Sequence, residues 1–168
     1  MVNEEKDEMY RSLEWKNGGT KNDYSRIILS GAITEQSDFA SVLEKIDGPV
    51  VLNLSGIESI NSIGVREWIR FIDKLCEGNR RVILEECSAP VVRQLNMISN
   101  MKGKASVASV LVPYYCGSCG NEQNNVQDMS DFSITKVVEI TTCQSCGQNS
   151  EFDDLIDSYF AFFQRQID

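Results

Sequence analysis

The chain has 168 residues, enough for one medium domain or one domain carrying a small module. Its 42% hydrophobic content suits a soluble globular protein, and no apolar stretch approaches the length of a membrane span. There is no histidine, which removes the commonest general base and disfavours Ser-His or Cys-His catalysis; the net charge of −9 disfavours phosphate backbones as partners.

Residues 1–10 are charged and lack a signal-peptide core, so a cytoplasmic, thiol-reducing setting is expected. A strand is expected around 10–16 and a second at 26–31, Arg-Ile-Ile-Leu-Ser-Gly. Phe39, Val42, Leu43 and Ile46 predict a short helix over 37–46 with Ser37 as its cap, ended by Gly48-Pro49. Residues 50–54 read as a buried strand. The segment 55–64 then leads into the most amphipathic helix, with Val65, Trp68, Ile69, Ile72, Leu75 and Cys76 on one face. Gly78-Asn79 stops it. A strand follows at 81–85, then a helix opened by Ser88-Ala89-Pro90 and carrying Val91, Val92, Leu95 and Ile98, then a last strand over 105–112. Alternation of this kind predicts an α/β domain with helices on a mixed or largely parallel sheet. Cys76 and Cys87 sit in apolar patterns and read as buried core thiols.

Two repeated steps follow, Cys116-Gly117-Ser118-Cys119-Gly120 and Cys143-Gln144-Ser145-Cys146-Gly147. Two cysteines three apart can present both thiolates to one metal, and the trailing glycine allows the positive φ such a turn demands. Cys116, Cys119, Cys143 and Cys146 therefore predict a four-thiolate zinc ribbon. With no histidine to complete or open the shell, the zinc is expected to be structural, with iron as the competing occupant and a thiol oxidoreductase as the competing chemistry. The polar run 121–131 is expected to be a loop, and the β-branched run 134–142 the strand entering the second knuckle. Phe152, Leu155, Ile156, Tyr159, Phe160 and Phe163 predict one amphipathic terminal helix whose stripe packs on the ribbon or the sheet, with docking of a partner as the alternative.

Charge divides the chain at Pro113. Residues 24–112 hold ten acids and ten bases, whereas 113–168 hold nine acids and two bases. The expected division is a domain over 1–112, with an N-terminal extension over 1–9, and a ribbon with its helix over 113–168. An acidic ribbon carrying two further negative charges at its metal is a poor match for nucleic acid. A terminal segment whose only base is Arg165 is a poor match for a membrane surface.

Leu29-Ser30-Gly31, the strand 50–54 and Asn61-Ser62-Ile63-Gly64-Val65 at a helix start resemble the STAS domain, the domain of anti-sigma-factor antagonists and sulfate-transporter tails. The resemblance covers about residues 10–112. It implies a non-enzymatic bacterial regulator whose partner is a protein, such as a kinase-type anti-sigma factor, with no small-molecule substrate. In antagonists the loop reads Asp-Ser-Ser-Gly and its first serine is phosphorylated by the partner. By position that serine is Ser62 and the family glycine is Gly64, while Asn61 replaces the acid and Ile63 the second serine. Phosphate at a helix start would meet unpaired N–H groups and add about −1.5 to −2 charge. The plainer reading is that Asn61 or Ser62 only caps the helix. Asn61, Gly64, Arg66, Glu67 and Arg70 are the partner-binding candidates, and the last three also fit an ordinary solvated helix face. The alternatives are an adaptor subunit of a transport or stress-signalling assembly without a phosphoserine, and a nucleic-acid-binding ribbon protein.

Overall fold

A computed structural model describes residues 11–164; the extension 1–9, Tyr10 and Arg165 lie outside the described residues. The chain runs β1 (Glu14–Lys21), β2 (Tyr24–Ile33), α1 (Phe39–Leu43), β3 (Val50–Ile60), α2 (Ser62–Leu75), β4 (Val82–Glu85), α3 (Ala89–Met97) and β5 (Ser106–Val107). These strands form a sheet in the order β1-β2-β3-β4-β5. Only β1–β2 is antiparallel; the other three pairings are parallel. Asn22 and Asp23, at φ 50° and 67°, close a two-residue hairpin between β1 and β2, the turn that suits strand twist.

The second sheet is built from β6 (Ser109–Tyr115), β7 (Glu122–Asp128), β8 (Ile140–Thr142) and β9 (Asn149–Phe152), followed by α4 (Ile156–Tyr159) and α5 (Ala161–Gln164). Its order is β7-β6-β9-β8, antiparallel throughout.

The expected mixed α/β sheet with helices and a small cysteine-bearing β unit is what forms, and several local expectations are corrected. The helix expected over 37–46 has α-helical bonding only over Phe39–Leu43, because its last turn tightens: Lys45 N–H bonds Val42 O and Ile46 N–H bonds Leu43 O. Its cap is Asp38, whose Oδ1 accepts from Ser41 N–H at 3.1 Å; Ser37 Oγ instead accepts from Thr34 N–H at 2.9 Å. β3 does not stop at Leu54 but continues to Ile60, following β2 through two register shifts. The strand expected over 105–112 is two strands in two sheets. Ala108 is the pivot: its N–H bonds Leu84 O in the first sheet at 2.8 Å, and its carbonyl accepts Met129 N–H at 2.8 Å in the second. β6 then runs unbroken through Pro113.

The polar run 121–131 is not a loop, since β7 pairs with β6 along its whole length, from Ser109↔Asp128 to Tyr115↔Glu122. Conversely, the run 134–142 is a strand only at Ile140–Thr142. Phe132 packs tilted on Phe160 at 4.5 Å and meets Phe163 edge-on at 4.9 Å, and 134–136 forms a short 3₁₀ turn in spite of its β propensity.

The terminal helix is likewise two short helices, and Phe152 belongs to β9. Asn96 on α3 sits at the break, donating to Tyr159 O at 2.9 Å and accepting from Phe162 N–H at 2.7 Å. Tyr159 hydroxyl donates to Leu111 O. The aromatic residues thus pack on α3 and β6, as the stripe predicts, but Leu155 does not join them and is 73% exposed.

One apolar cluster spans both sheets. It runs from Ile27, Leu29, Leu52 and Leu84, under Trp68, Phe71 and Ile72 of α2, through Val92 and Leu95 of α3, to Tyr114, Tyr159 and Phe160. Trp68 is fully buried and its Nε1 donates to Met101 O at 2.9 Å, so its polar atom is satisfied inside the core. Each such large side chain contributes about 1.5–3 kcal/mol by leaving water. Cys76 and Cys87 lie in the cluster as expected, and burial pushes the Cys87 thiol up to about 12, which keeps it neutral.

Candidate functional site

The two cysteine steps fold into two copies of one turn. In the first, Cys116 N–H bonds Asn121 O at 2.9 Å and Gly120 N–H bonds Cys116 O at 2.8 Å. In the second, Cys143 N–H bonds Gln148 O at 2.7 Å and Gly147 N–H bonds Cys143 O at 3.0 Å. Gly120 and Gly147 both sit at φ 74°, the left-handed conformation their positions predict.

β6 delivers the first turn, and β8 and β9 flank the second. Their pairing brings four sulfurs together, all within 4.8 Å of one another. The closest cross-turn pairs are Cys116–Cys146 at 3.6 Å and Cys119–Cys143 at 3.7 Å. A tetrahedron of sulfurs about 2.3 Å from a metal has edges of about 3.8 Å, so the spacing fits a four-thiolate ion. Cys116 and Cys143 are buried, Cys119 and Cys146 exposed.

The electrostatics point the same way. The Cys146 N–H leads the groups that bring the Cys143 thiol down to about 6, against desolvation and with help from Ser145 N–H. At Cys146 the Gln148 N–H favours the thiolate, but the three neighbouring sulfurs and desolvation together push the thiol up to about 12. Four sulfurs this close cannot all ionise without a cation between them. The cluster can therefore hold a metal ion with every ligand supplied by the chain.

Gln123 is a site residue that sequence reasoning missed. It is buried on β7 and reaches across to the second turn: its Oε1 accepts Gln144 N–H at 2.8 Å and its Nε2 donates to Thr142 O at 3.1 Å. Both residues adjoin Cys143. Asn125, two positions on, points the same way and donates to Thr141 Oγ1 at 3.4 Å. Alternation of Gln123 and Asn125 in a polar run was the available signal, and it acquires meaning only once the run is a strand.

The second candidate region is the start of α2. Asn61, not Ser62, is the cap: its Oδ1 accepts Gly64 N–H at 2.6 Å. Asn61 Nδ2 in turn donates to Glu35 Oε2 at 3.0 Å, and that bond leads the causes holding the Glu35 carboxyl below its usual range. Ser62 is exposed in the first helical position, and among the described residues its hydroxyl has no partner. Ile63 beside it is 43% exposed.

Arg66 and Arg70 are exposed and both pair with Glu67, at 3.5 and 3.0 Å. Glu67 and Arg70 also line an open groove of about 640 Å³ between α1 and α2, together with Asp38, Phe39, Leu43 and Lys74. Asn61, Ser62, Arg66, Glu67 and Arg70 thus share one accessible stretch of helix. Gly64 does not: it is buried, and a Cβ there would lie 2.2 Å from Ile33 O. Its part is to let α2 touch the end of β2.

Compared with protein-family models, curated proteins and solved structures, the chain finds no match in any of the three. No helix among the described residues is long and apolar enough to cross a membrane.

Proposed function

We propose that the chain is a non-enzymatic regulatory interaction module of the STAS type, which docks a protein partner on the face around the start of α2 and carries a structural zinc ion in its four-cysteine cluster. The observation that carries this reading is Ser62: exposed, unpartnered and first in a helix that Asn61 already caps. Capping is thereby separated from the serine, whose hydroxyl stays free for modification. Support also comes from the hairpin-led sheet, the helix following β3, and Glu35, which brings to Asn61 a carboxylate that position 61 itself lacks.

A phosphate on Ser62 adds about −1.5 to −2 charge beside Glu35 and Ile63. A partner covering that surface then meets repulsion and a desolvation cost where it had an apolar contact. The protein performs no chemistry; a partner kinase of the anti-sigma type supplies the phosphate. Four cysteines and no open ligand position suit a zinc that holds two turns together.

Affinity purification from the native cell with mass spectrometry tests the proposal. A kinase-fold partner should be recovered, Ser62 should be found phosphorylated, and Ser62→Asp should weaken binding of that partner at least about tenfold while Ser62→Ala does not. Equal binding by both variants would sink the switch. The reading as an adaptor subunit without phosphoserine has one observation in its favour, the complete capping of α2 by Asn61 with no charge at Ser62. Co-purification with a transporter ATPase and an unmodified Ser62 would favour it.

A further inference from the structure

Beside the four-cysteine unit lies a groove that neither the cysteine cluster nor the Ser62 face uses. It lies between the β8–β9 pair and α4 and measures about 650 Å³, within the range of clefts that take ligands, about 300–1,000 Å³. Its apolar lining is Ile140, Phe152, Leu155 and Ile156. Ile140 is 54% exposed and Leu155 73%.

Leu155 has no evident structural duty. It occupies the N-cap position of α4, where a polar side chain would bond the first turn, and it makes no cap bond. It is nonetheless held in place, because Asp154 Oδ1 accepts its N–H at 2.7 Å and its carbonyl accepts Tyr159 N–H at 2.8 Å. With Ile140 it gives the groove two exposed apolar side chains set among carboxylates.

Four carboxylates rim the groove: Glu139, Glu151, Asp154 and Asp157. Glu151 stands directly opposite Ile140 in the β8–β9 register, so acid and apolar groups alternate across the surface. No base lines the groove, and among the described residues none of the four acids is in an ion pair. The bases of residues 113–168 are Lys136 and Arg165 alone.

Charge selects the occupant. Residues 1–10 of this chain carry four acids and one base, so the sign is wrong for them to fold back here. A second copy presents the same four carboxylates. Nucleic acid and anionic lipid are repelled. We infer that this groove docks a short basic segment of another protein, an apolar side chain seated on Ile140, Phe152 and Leu155 with lysines or arginines on either side meeting the four carboxylates. The surface shares no residue with the start of α2, so it stands or falls separately from the function proposed for Ser62.

The test is fluorescence anisotropy with the full-length, metal-loaded protein and a labelled peptide, Lys-Leu-Arg-Lys-Leu-Lys, against its counterpart Glu-Leu-Glu-Glu-Leu-Glu. Saturable binding of the basic peptide and none of the acidic one is expected. Leu155→Ser should weaken binding about tenfold, the size of a minor hot spot, and so should the double variant Glu151→Gln with Asp157→Asn. Raising ionic strength from about 0.1 M to about 1 M, which shortens the screening length from about 10 Å to about 3 Å, should weaken it further. Val126→Ser, at an apolar residue of β7 that is 59% exposed and outside the groove, should leave binding unchanged. Metal content and the thermal midpoint report that each variant is folded. The inference is overturned by no binding of the basic peptide at low salt, by binding that survives Leu155→Ser intact, which marks diffuse attraction to an acidic protein, or by equal losses in Leu155→Ser and Val126→Ser.

Discussion

Replacing Gln123 with leucine should loosen the metal without touching a ligand. The side chain spans from β7 to the second cysteine turn through two hydrogen bonds, to Gln144 N–H at 2.8 Å and Thr142 O at 3.1 Å. Leucine keeps most of the buried volume and removes both bonds. Each is worth about 0.5–1.5 kcal/mol net, so together about 1–3 kcal/mol, and each 1.4 kcal/mol is tenfold in affinity. The expected loss is thus between about fivefold and about a hundredfold, overlapping the roughly 10–100-fold seen when partners that orient metal ligands are removed. Cobalt titration, read from thiolate-to-metal absorbance and then reversed by competing zinc, measures it directly. Asn125→Ala is the matched control: the same strand, the same direction, but one longer bond of 3.4 Å to a side chain two residues from Cys143. It should change affinity less than about threefold, well below one full hydrogen bond at the upper end of that range. An affinity for Gln123→Leu within twofold of the parent would refute the claim that β7 positions the second turn. An equal loss in both variants would show general weakening of the sheet instead.

Gly64→Ala should cost at least about 1–3 kcal/mol, because the new Cβ meets the rigid Ile33 carbonyl at 2.2 Å and α2 must lift; an unchanged urea midpoint would contradict the close contact. Glu85 is a carboxylate whose burial opposes ionisation but whose bonds from Arg26 and Asn53, with the charges of Arg26 and Lys21, leave it below its usual range. A folded-state value below the unfolded one gives stability that is full above about pH 4.3 and is lost as pH falls through the folded value. The stability gap between the parent and Glu85→Gln should therefore narrow on acidification below about pH 4.3, measured by urea midpoints, and a gap independent of pH would refute the assignment. Chelation should strip amide-exchange protection from Gly120 and Gly147 in the two turns before the Leu52 and Leu84 strands lose theirs, since without an ion the turns are joined only through Gln123 and the short β6–β9 pairing; simultaneous loss at all four would show that the cluster supports the whole core.

What could be read from sequence divides along physical lines. Trp68, Ile72 and Leu75, and Val91, Val92 and Leu95, repeat at helical spacing because each helix buries one face, and 50–54 is apolar at every position but Asn53 because β3 is a central, buried strand, with Asn53 Nδ2 satisfied by Glu85 Oε1 at 3.2 Å. The cysteine turns were legible for a stronger reason: two thiolates aimed at one point require a set spacing and a positive φ in one short peptide, so the whole demand is local.

The second sheet makes its demands at a distance. β7 contains Glu122, Gln123, Asn124, Asn125 and Gln127, and nothing in that composition asks for a strand. It is one because β6 offers a full ladder of partners and because Gln123 has backbone groups to meet on the far side. The aromatic stripe predicts one helix because helical spacing says which residues share a face and not whether the backbone stays continuous; Asn96, more than sixty residues earlier, supplies the acceptor and donor that let the chain break between Tyr159 and Phe162. The same logic separates the two candidate sites. The metal cluster follows from residues that carry their own geometry, whereas the roles of Asn61 and Ser62 depend on which of two adjacent polar side chains turns inward. Glu35 bears on that choice from the loop after β2: by accepting from Asn61 Nδ2 it leaves Oδ1 facing Gly64 N–H, and Ser62 faces the solvent.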